Sequence, residues 1–273
     1  FFRRQDGKDE PKMAFTVHAV MPGVWHIVDC MGVCMTLLEG ENAAMLVDTG
    51  YGIEDVADFM HHMTDLPLTV FLTHNHHDHA MGARCFPETY MLEADMADWR
   101  MFTNDEMRRR VLTQAIGKNL TVDEKTFLAG EIPLPKVMKP GVIDLGGLTA
   151  EIIEAPGHTP GSAVVYVPER KLLLSGDDWN PCTWLFFPQA LGLREYRSNM
   201  RGIQQLPFEK VLCPHREALY DRWMFDDFFN ALTDGNLRAA EPVNIAPYEQ
   251  IDTCQATLPH DQVLVFDWEK SGL

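Results

Sequence analysis

Positions 74–79 concentrate side chains that bind metal ions. The segment reads His-Asn-His-His-Asp-His and directly follows an apolar run. In an extended chain, residues two apart point to the same side, so His74 and His76 are placed to face one metal together. A curl in the chain would then bring Asp78 and His79 to a second position beside the first. Imidazole and carboxylate groups are the ligands expected for zinc, iron or manganese.

A structural role does not explain this density of titratable groups, because stacking them at a strand end costs stability unless something binds them. The segment therefore predicts a metal site. His77 occupies the remaining place in the pattern and is interpreted as a supporting or solvent-facing residue. Gly82 would let the backbone turn close to the site. His61 and His62, on a predicted helix, are interpreted as surface residues.

Apolar periodicity predicts the elements that must position these histidines. Positions 53–63 have apolar residues at helical spacing and predict a helix. Short apolar runs bounded by turn residues predict strands at 16–20, 24–28, 33–38, 43–47 and 68–72. The strand–helix–strand order, with the histidine segment directly after the last strand, predicts an α/β layer whose functional residues lie at strand ends.

The second half also combines hairpins with helices. Strands are predicted at 142–145, 148–154, 163–167, 171–174, 210–213 and 263–266, and helices near 193–205 and 223–232. Positions 93–116 are helical and rich in methionine, and with the proline-rich segment to 140 they are interpreted as an insertion over the sheet edge. The sequence shows no flexible linker, so positions 13–273 are predicted to form one domain, preceded by a flexible leader at 1–12.

Composition disfavours several classes of protein. With 23 basic and 40 acidic residues the net charge is −17, which argues against a nucleic-acid partner because phosphate binding needs basic patches. The run at 108–110, three arginines, is interpreted as a solvated helix face. Six scattered cysteines are too few for a disulfide scaffold and are predicted to be buried, reduced thiols. Without a membrane-length apolar run or a signal-peptide pattern, the chain is expected to have no membrane partner and to be cytoplasmic.

Five ordered motifs resemble the metallo-β-lactamase superfamily. They are LVDTG at 46–50, THNHHDH at 73–79, APGHTPGS at 155–162, LSGD at 174–177 and VLCPH at 211–215. The resemblance covers about positions 13–219. It implies an α/β fold, a four-layer αββα sandwich with the helical insertion over the active-site edge. The two strand-rich halves agree with that expectation.

The resemblance also implies a set of metal ligands for two divalent ions, zinc first, with iron and manganese as alternatives. One ion would be held by His74, His76 and His158, the other by Asp78, His79 and His215, with Asp177 as the bridge. Asp48 and Thr73 would orient ligands from outside the site. Asp178 competes with Asp177 for the bridging place, and the register of the motif favours Asp177.

Through the same resemblance the chain is expected to be a hydrolase with Asp78 and Asp177 in catalytic roles, in which a metal-bridging hydroxide attacks the substrate. The bridging aspartate disfavours β-lactam hydrolysis, since the true β-lactamases of the superfamily lack it. The chain looks closest to the glyoxalase II and lactonase branch, which implies a small acyl substrate: an ester, a thioester or a lactone. A phosphodiesterase of the same fold and a mononuclear-iron oxidoreductase resembling persulfide dioxygenases remain as alternatives.

Candidate substrate contacts follow the bridging aspartate. The aromatic run at 179–187 and the methionine-rich insertion are possible pocket walls, with core packing as the equal alternative for the aromatic run. Trp179, Trp184 and Tyr220 are the candidate pocket residues, and Tyr166 and Tyr220 are candidate oxyanion donors. The sequence carries no recognisable assembly signal, so it leaves the oligomeric state open.

Overall fold

The computed structural model of the protein describes residues 15–273. Its strands are β1 (Thr16–Met21), β2 (Val24–Val28), β3 (Cys34–Glu39), β4 (Ala44–Val47), β5 (Leu68–Phe71), β6 (Tyr90–Met91), β7 (Lys136–Val137), β8 (Gly141–Asp144), β9 (Thr149–Glu154), β10 (Ala163–Val167), β11 (Leu172–Leu174), β12 (Cys182–Leu185), β13 (Lys210–Leu212), β14 (Tyr220–Asp221), β15 (Glu241–Pro242), β16 (Thr253–Leu258) and β17 (Gln262–Asp267). Its α-helices are α1 (Val56–Met63), α2 (His77–Ala80), α3 (Trp99–Thr103), α4 (Asp105–Gly117), α5 (Glu124–Phe127), α6 (Leu193–Ile203), α7 (Arg222–Ala231) and α8 (Asp234–Arg238). The predicted leader at 1–12 and the first residues of the predicted domain lie outside the described residues.

Two large sheets form the framework that positions the motifs. The first has the strand order β1-β2-β3-β4-β5-β6-β7, and the second has the order β14-β13-β11-β10-β9-β8. β4 runs parallel to β5 in the first sheet, and β11 runs parallel to β13 in the second. Parallel neighbours bring their carboxyl ends to one edge, so the residues that follow these four strands can meet there.

The two sheets pack face to face between outer layers of helices. Val47 and Phe71 of the first sheet share one buried cluster with Val165 and Leu174 of the second. The outer face of the first sheet packs against α1, and that of the second against α6 and α7. Complete burial of one such aliphatic or aromatic side chain contributes about 1.5–3 kcal/mol. The order helix–sheet–sheet–helix agrees with the predicted four-layer arrangement.

The insertion is helical, as its sequence predicts, but it is not a single helix. It contains α3, α4 and α5, and α3 and α4 are separated at Asn104. The Asn104 side chain accepts a hydrogen bond from the Met107 backbone N–H at 2.9 Å and caps α4. Trp99, Val111 and Phe127 pack together in a buried cluster of their own. The insertion thus carries its own small core beside the first sheet.

A third sheet was not predicted from the sequence. Its strand order is β12-β17-β16-β15, and β12 pairs in parallel with β17. The strand predicted at 263–266 is confirmed as part of β17. β12 was overlooked because its aromatic residues were interpreted as pocket walls or core. β16 was overlooked because Thr253–Leu258 mixes polar and apolar residues and contains no continuous apolar run.

The interpretation of the arginine run at 108–110 as a solvated helix face is wrong for Arg108. Its side chain is only 1% exposed, whereas Arg109 and Arg110 are exposed as predicted. Arg108 donates hydrogen bonds to the carbonyl oxygens of Gly130 at 2.6 Å, of Ala129 at 3.2 Å and of Phe127. The loop after α5 turns these carbonyls towards α4, and a long side chain with several donors is needed to satisfy them.

Two further expectations from composition concern the membrane and the cysteines. Within residues 15–273, no helix combines the length and the apolar character needed to cross a membrane.

All six cysteines are free thiols. Three of them are buried and three are half-buried, so the prediction of burial holds for Cys34, Cys213 and Cys254 and is wrong for Cys30, Cys85 and Cys182.

We predict that Arg108→Met lowers the free energy of unfolding by about 1–3 kcal/mol, because it leaves buried carbonyl oxygens without a donor. Urea denaturation followed by circular dichroism measures this change. Arg109→Met, on the exposed face of the same helix, is the matched control and should change stability by less than about 0.5 kcal/mol. Equal effects of the two substitutions would contradict the structural role assigned to Arg108.

Candidate metal centre

The motif residues lie at one edge of the sandwich, at the ends of four strands and in one loop. Asp48 directly follows β4. His74, Asp177 and His215 each lie three residues beyond the end of a strand, namely β5, β11 and β13. His158 lies in the loop between β9 and β10. Both pairs of parallel strands therefore contribute, which explains how motifs distant in sequence converge.

The histidine segment changes direction after His76. His74 and His76 precede α2, while Asp78 and His79 lie on its single turn, so the two pairs face different positions. The turn is held by Thr49, whose hydroxyl donates to the His79 carbonyl oxygen at 2.8 Å. Gly82 permits the close approach expected of it, because a Cβ atom there would lie 2.2 Å from the Thr49 carbonyl oxygen.

The first group of candidate ligands contains only histidines. His74, His76 and His158 offer nitrogen atoms that all lie within 4.8 Å of one another. The Nδ1 atom of His76 is 2.8 Å from Nε2 of His158. Burial lowers the pKa of His74 and His76 well below the ordinary value, so these rings are neutral and keep a lone pair for a metal.

The second group contains Asp78, His79 and His215, and Asp177 lies between the two groups. The Asp177 Oδ2 atom is 3.5 Å from Nε2 of His158 and 4.0 Å from Nε2 of His74. The same oxygen is 3.4 Å from Nε2 of His79 and 3.1 Å from Nε2 of His215. Asp177 is thus within reach of both groups, as a bridging carboxylate must be.

The two groups differ in their electrostatics. Burial opposes charge on His79, but the carboxylates of Asp177 and Asp78 raise its pKa well above the ordinary value. Burial likewise opposes charge on Asp78, yet the neighbouring histidines, His79 first, lower its pKa to about 2. The Asp177 pKa is lowered well below its usual range, against the effect of burial, by His215 and His79. Both carboxylates are therefore ionised at neutral pH.

Buried atoms without a hydrogen-bond partner show whether the candidate ligands fit a metal. The Nε2 atoms of His74 and His79 and the Oδ1 atom of Asp177 are buried and have no hydrogen-bond partner. Leaving a buried polar atom unsatisfied costs about 1–3 kcal/mol, so three such atoms aimed at one place need an explanation. Imidazole nitrogens and carboxylate oxygens are suitable ligands for divalent zinc, iron or manganese. The residues therefore fit a site for divalent metal.

Asp48 and Thr73 hold these histidines from behind. An Asp48 carboxylate oxygen is 3.0 Å from Nδ1 of His79. The Thr73 hydroxyl donates to Asp48 at 3.0 Å and lies 3.0 Å from Nδ1 of His74. Such partners fix the orientation of a ligating imidazole. Both residues are therefore positioned to orient ligating imidazoles from outside, which stays a prediction.

Two buried carboxylates outside the ligand groups hold the site together: Asp95, which the sequence interpretation missed, and Asp178, which it considered as an alternative bridge. Asp95 accepts hydrogen bonds from Gly161 N at 2.6 Å and from Thr159 Oγ1 at 2.7 Å, and also from the backbone of Asn75 at 3.2 Å. It therefore joins the histidine segment to the loop of His158. Asp95 lies in a stretch without motif character, so no sequence signal distinguishes it. Asp178 accepts a hydrogen bond from His158 N at 3.0 Å and belongs to none of the ligand groups.

A cavity of about 530 Å³ opens beside the candidate ligands. Its apolar wall is formed by residues from the insertion, from the aromatic run and from the segment before β16: Phe102, Met107, Val111, Trp184, Phe187, Pro247 and Tyr248. His77 lines it as well, and Arg110 and Arg216 add positive charge. The cavity is large enough for a small organic molecule and reaches Asp78 and Asp177.

The structure separates the predicted pocket residues. Trp184 lines the cavity and is 39% exposed. Trp179 is fully buried in the core on the far side of the second sheet, where its indole N–H donates to Gln262 at 3.2 Å. Tyr220 packs edge-on against Trp179 at 5.4 Å, and Tyr166 is buried in the same core. Within β12, Trp184 is exposed while Thr183 and Leu185 are buried, because neighbouring residues of a strand point to opposite sides.

Comparison with known proteins decides the family. A family model described as the metallo-beta-lactamase superfamily matches residues 28–215, which include all seven candidate ligands. The chain belongs to the metallo-beta-lactamase superfamily. The predicted family and fold are thereby confirmed.

Known relatives are distant. The acyl-coenzyme A thioesterase MBLAC2 of Gallus gallus is 26% identical over 202 residues, which make up 66% of this chain and 70% of that protein. The human protein of the same name is 23% identical over 53% of this chain and 60% of its own length. A solved metallo-beta-lactamase family protein from Thermus thermophilus has a TM-score of 0.56 at 18% identity, over 81% of this chain and 82% of that one. Family membership and the thioesterase relatives support the prediction of a metal-dependent hydrolase.

We predict that Asp48→Asn weakens binding of divalent metal by about 10–100-fold, because it removes the carboxylate that orients His79. Competition with a chromophoric chelator measures the affinity. Asp58→Asn, at an exposed position on α1, should leave it unchanged. If both variants bind metal like the parent protein, Asp48 does not support the site.

Proposed function

We propose that this metallo-beta-lactamase superfamily member is a hydrolase with two divalent metal ions, zinc first, and that it cleaves an ester, thioester or lactone. One observation carries the proposal. The Asp177 carboxylate lies within 3.1–4.0 Å of four histidines from two ligand groups, at a cavity with an apolar wall. A shared carboxylate favours two ions over the single iron of the persulfide dioxygenase alternative.

The ligands are assigned as the motifs imply. His74, His76 and His158 would hold one ion; Asp78, His79 and His215 the other; Asp177 would contact both. Ions bound there would lower the pKa of a coordinated water towards ~7 and supply hydroxide at neutral pH. Asp78 is ionised and lines the cavity, so its free oxygen can accept a hydrogen bond from the nucleophile and orient it.

The cavity wall supports an acyl substrate. Trp184 and Phe187 lie on one side, and Phe102 and Met107 of the insertion contribute the other aromatic and thioether surfaces. Such a wall stabilises an apolar acyl group and excludes water from it. The resemblance to acyl-coenzyme A thioesterases supports a thioester as the first candidate within this class. We accordingly propose a small-molecule thioester as the substrate.

Arg110 and Arg216 favour a second candidate, hydrolysis of a phosphodiester. Both line the cavity of an otherwise strongly acidic chain, so they can attract a negatively charged substrate. Each is already partly engaged, Arg110 by Glu106 at 2.6 Å and Arg216 by the His215 carbonyl oxygen at 2.8 Å. The same charges also suit a thioester whose leaving group is anionic, and therefore they do not displace the first candidate.

We further propose that positions 13–273 form a single domain, that the protein is cytoplasmic and that it has no nucleic-acid partner. The strongly negative net charge of −17 supports the last of these.

The proposal predicts that zinc- or manganese-reconstituted protein hydrolyses an acyl thioester and a lactone faster than an activated phosphodiester, and that a chelator abolishes the activity. Initial rates on the two substrate sets measure the preference. Faster turnover of the phosphodiester would overturn the acyl assignment. Asp177→Ala should reduce both the bound metal and the rate by at least about 100-fold, since it removes the shared ligand. Asp65→Ala, at an exposed site, is its control.

The aromatic wall predicts a dependence on acyl length. Trp184→Ala should raise KM for a long or aromatic acyl group by about tenfold, because losing contact with two methylenes costs about 1.6 kcal/mol at about 0.8 kcal/mol each. KM for an acetyl thioester should change little. Trp223→Ala, which removes an exposed indole on α7, should alter neither constant. Equal loss for short and long acyl groups would show that Trp184 does not contact the acyl chain.

A further inference from the structure

Tyr51 lies at the cavity but belongs to neither group of candidate ligands. It directly follows the LVDTG motif and lines the cavity of about 530 Å³ together with Asp78 and Asp177. Its ring packs against the buried cluster of the insertion and lies edge-on to His77, with 5.5 Å between the ring centroids. The aromatic ring thus has a packing role, which a phenylalanine would fill equally well, so the hydroxyl needs a separate explanation.

The Tyr51 hydroxyl is available to a molecule in the cavity. Within residues 15–273 it has no hydrogen-bond partner, and its oxygen is not fully buried. The ordinary pKa of a phenol is about 10. Burial raises the pKa of Tyr51 further, and the charge of Asp78 acts in the same direction. The hydroxyl therefore keeps its proton at neutral pH and can donate a hydrogen bond.

Two glycines with left-handed backbone conformation flank Tyr51. Gly50 has a φ of +64° and Gly52 a φ of +62°. A Cβ atom on Gly50 would lie 2.6 Å from Oδ2 of Asp29, and one on Gly52 would lie 2.5 Å from Cα of Gly82. Only glycine permits this combination of conformation and close approach. The chain is therefore held tightly on both sides of Tyr51.

A buried carboxylate and an arginine fix the same loop. Oδ2 of Asp29 accepts a hydrogen bond from Tyr51 N at 3.0 Å. Its Oδ1 atom accepts from the backbone N–H groups of residues 31–33 at 2.9–3.0 Å. Arg84 Nε donates to the Gly52 carbonyl oxygen at 2.8 Å. Because these bonds hold the backbone, the Tyr51 side chain is presented to the cavity from a rigid support.

Hydrolysis of a thioester creates a charge that such a donor can stabilise. Hydroxide adds to the acyl carbon, and the π electron pair of the C=O bond moves to the acyl oxygen. When that pair returns, the C–S bond breaks and the thiolate leaves. The proton of the added hydroxide passes to the sulfur, so the products are a carboxylate and a thiol. A donor fixed beside the acyl oxygen stabilises its transient negative charge without having to reorient.

The other uncharged donors of the cavity wall are placed differently. Tyr248 packs its ring against Phe187 in the apolar wall, with 5.4 Å between the centroids. Asn180 is tied to the start of β12, where its side-chain oxygen accepts from Cys182 N at 2.8 Å. Gln114 is exposed on α4. Tyr51 combines a free hydroxyl with a fixed backbone beside the candidate ligands.

We propose that Tyr51 is a catalytic residue, whose hydroxyl donates a hydrogen bond to the acyl oxygen of the substrate while hydroxide attacks the acyl carbon. The tyrosine keeps its proton throughout and acts only as a donor. This inference rests on the proposed thioester hydrolysis and assigns to that reaction a donor which the sequence did not identify.

Tyr51→Phe tests the inference, because it keeps the ring and its contact with His77 and removes only the hydroxyl. In the zinc-loaded protein, kcat for an acyl thioester should fall by about 10–100-fold, while KM changes less than about twofold. The loss should be the same for short and long acyl groups. Tyr90→Phe removes a hydroxyl that bonds Glu88 on β6, away from the cavity, and should leave both constants unchanged.

Structural effects of the substitution are measured on the same samples. Native mass spectrometry and thermal unfolding of Tyr51→Phe should give the zinc content and Tm of the parent protein. A parent-like kcat would overturn the proposal and leave Tyr51 with a packing role. Loss of zinc together with activity would also overturn it, because the tyrosine would then support the metal site and not the acyl oxygen.

An alkylboronic acid gives a readout that does not depend on turnover. After it takes up hydroxide it is tetrahedral and anionic, as the attacked thioester is. Its Kd for zinc-loaded protein, measured by calorimetry, should rise by about tenfold in Tyr51→Phe. An equal Kd for the parent protein and the variant would contradict a donor role.

The outcomes separate this inference from the proposed function. A parent protein that hydrolyses thioesters as fast as its Tyr51→Phe variant does would overturn the role of Tyr51 alone. A parent protein without thioester hydrolysis would overturn the proposed function and the inference together.

Discussion

The arrangement around Asp177 is the constraint on which the rest of the site depends. One buried carboxylate is shared by histidines from three separate parts of the chain, at distances of 3.1–4.0 Å. Burying polar atoms without partners lowers stability, and a bound metal ion would offset that cost. The parallel pairs β4–β5 and β11–β13 bring these groups together because their carboxyl ends share an edge.

Three buried carboxylates fix the positions of the loops that carry the candidate ligands. Asp95 ties the histidine segment to the loop of His158, and Asp178 fixes that loop from the other side. Asp48 joins the strand end of β4 to His79 and Thr73. These carboxylates accept hydrogen bonds from the loops that carry the ligands, so the ligands are held before metal arrives. Preorganisation of this kind reduces the conformational entropy lost on binding.

The sequence identified the candidate ligands, because their residue types and spacing indicate metal binding by themselves. His74 to His79, His158, Asp177 and His215 stand in recognisable motifs, and the apolar runs before them located the strands. Asp95 and Tyr248 were missed because their positions at the site arise from loop geometry, to which no periodicity or motif corresponds. Arg108 was misplaced because a charged residue in a basic run gives no sign of the carbonyl oxygens that surround it. The third sheet was missed because β12 lies within an aromatic run whose pairing with β17 is long-range.

Native mass spectrometry of the metal-free chain titrated with zinc tests the central claim most directly. The two ligand groups joined by Asp177 predict a species with two zinc ions per chain at saturation, and a chain with Asp177→Ala that retains at most one tightly bound ion. A parent chain that saturates with a single ion, or an Asp177→Ala chain that still binds two, would contradict the binuclear centre.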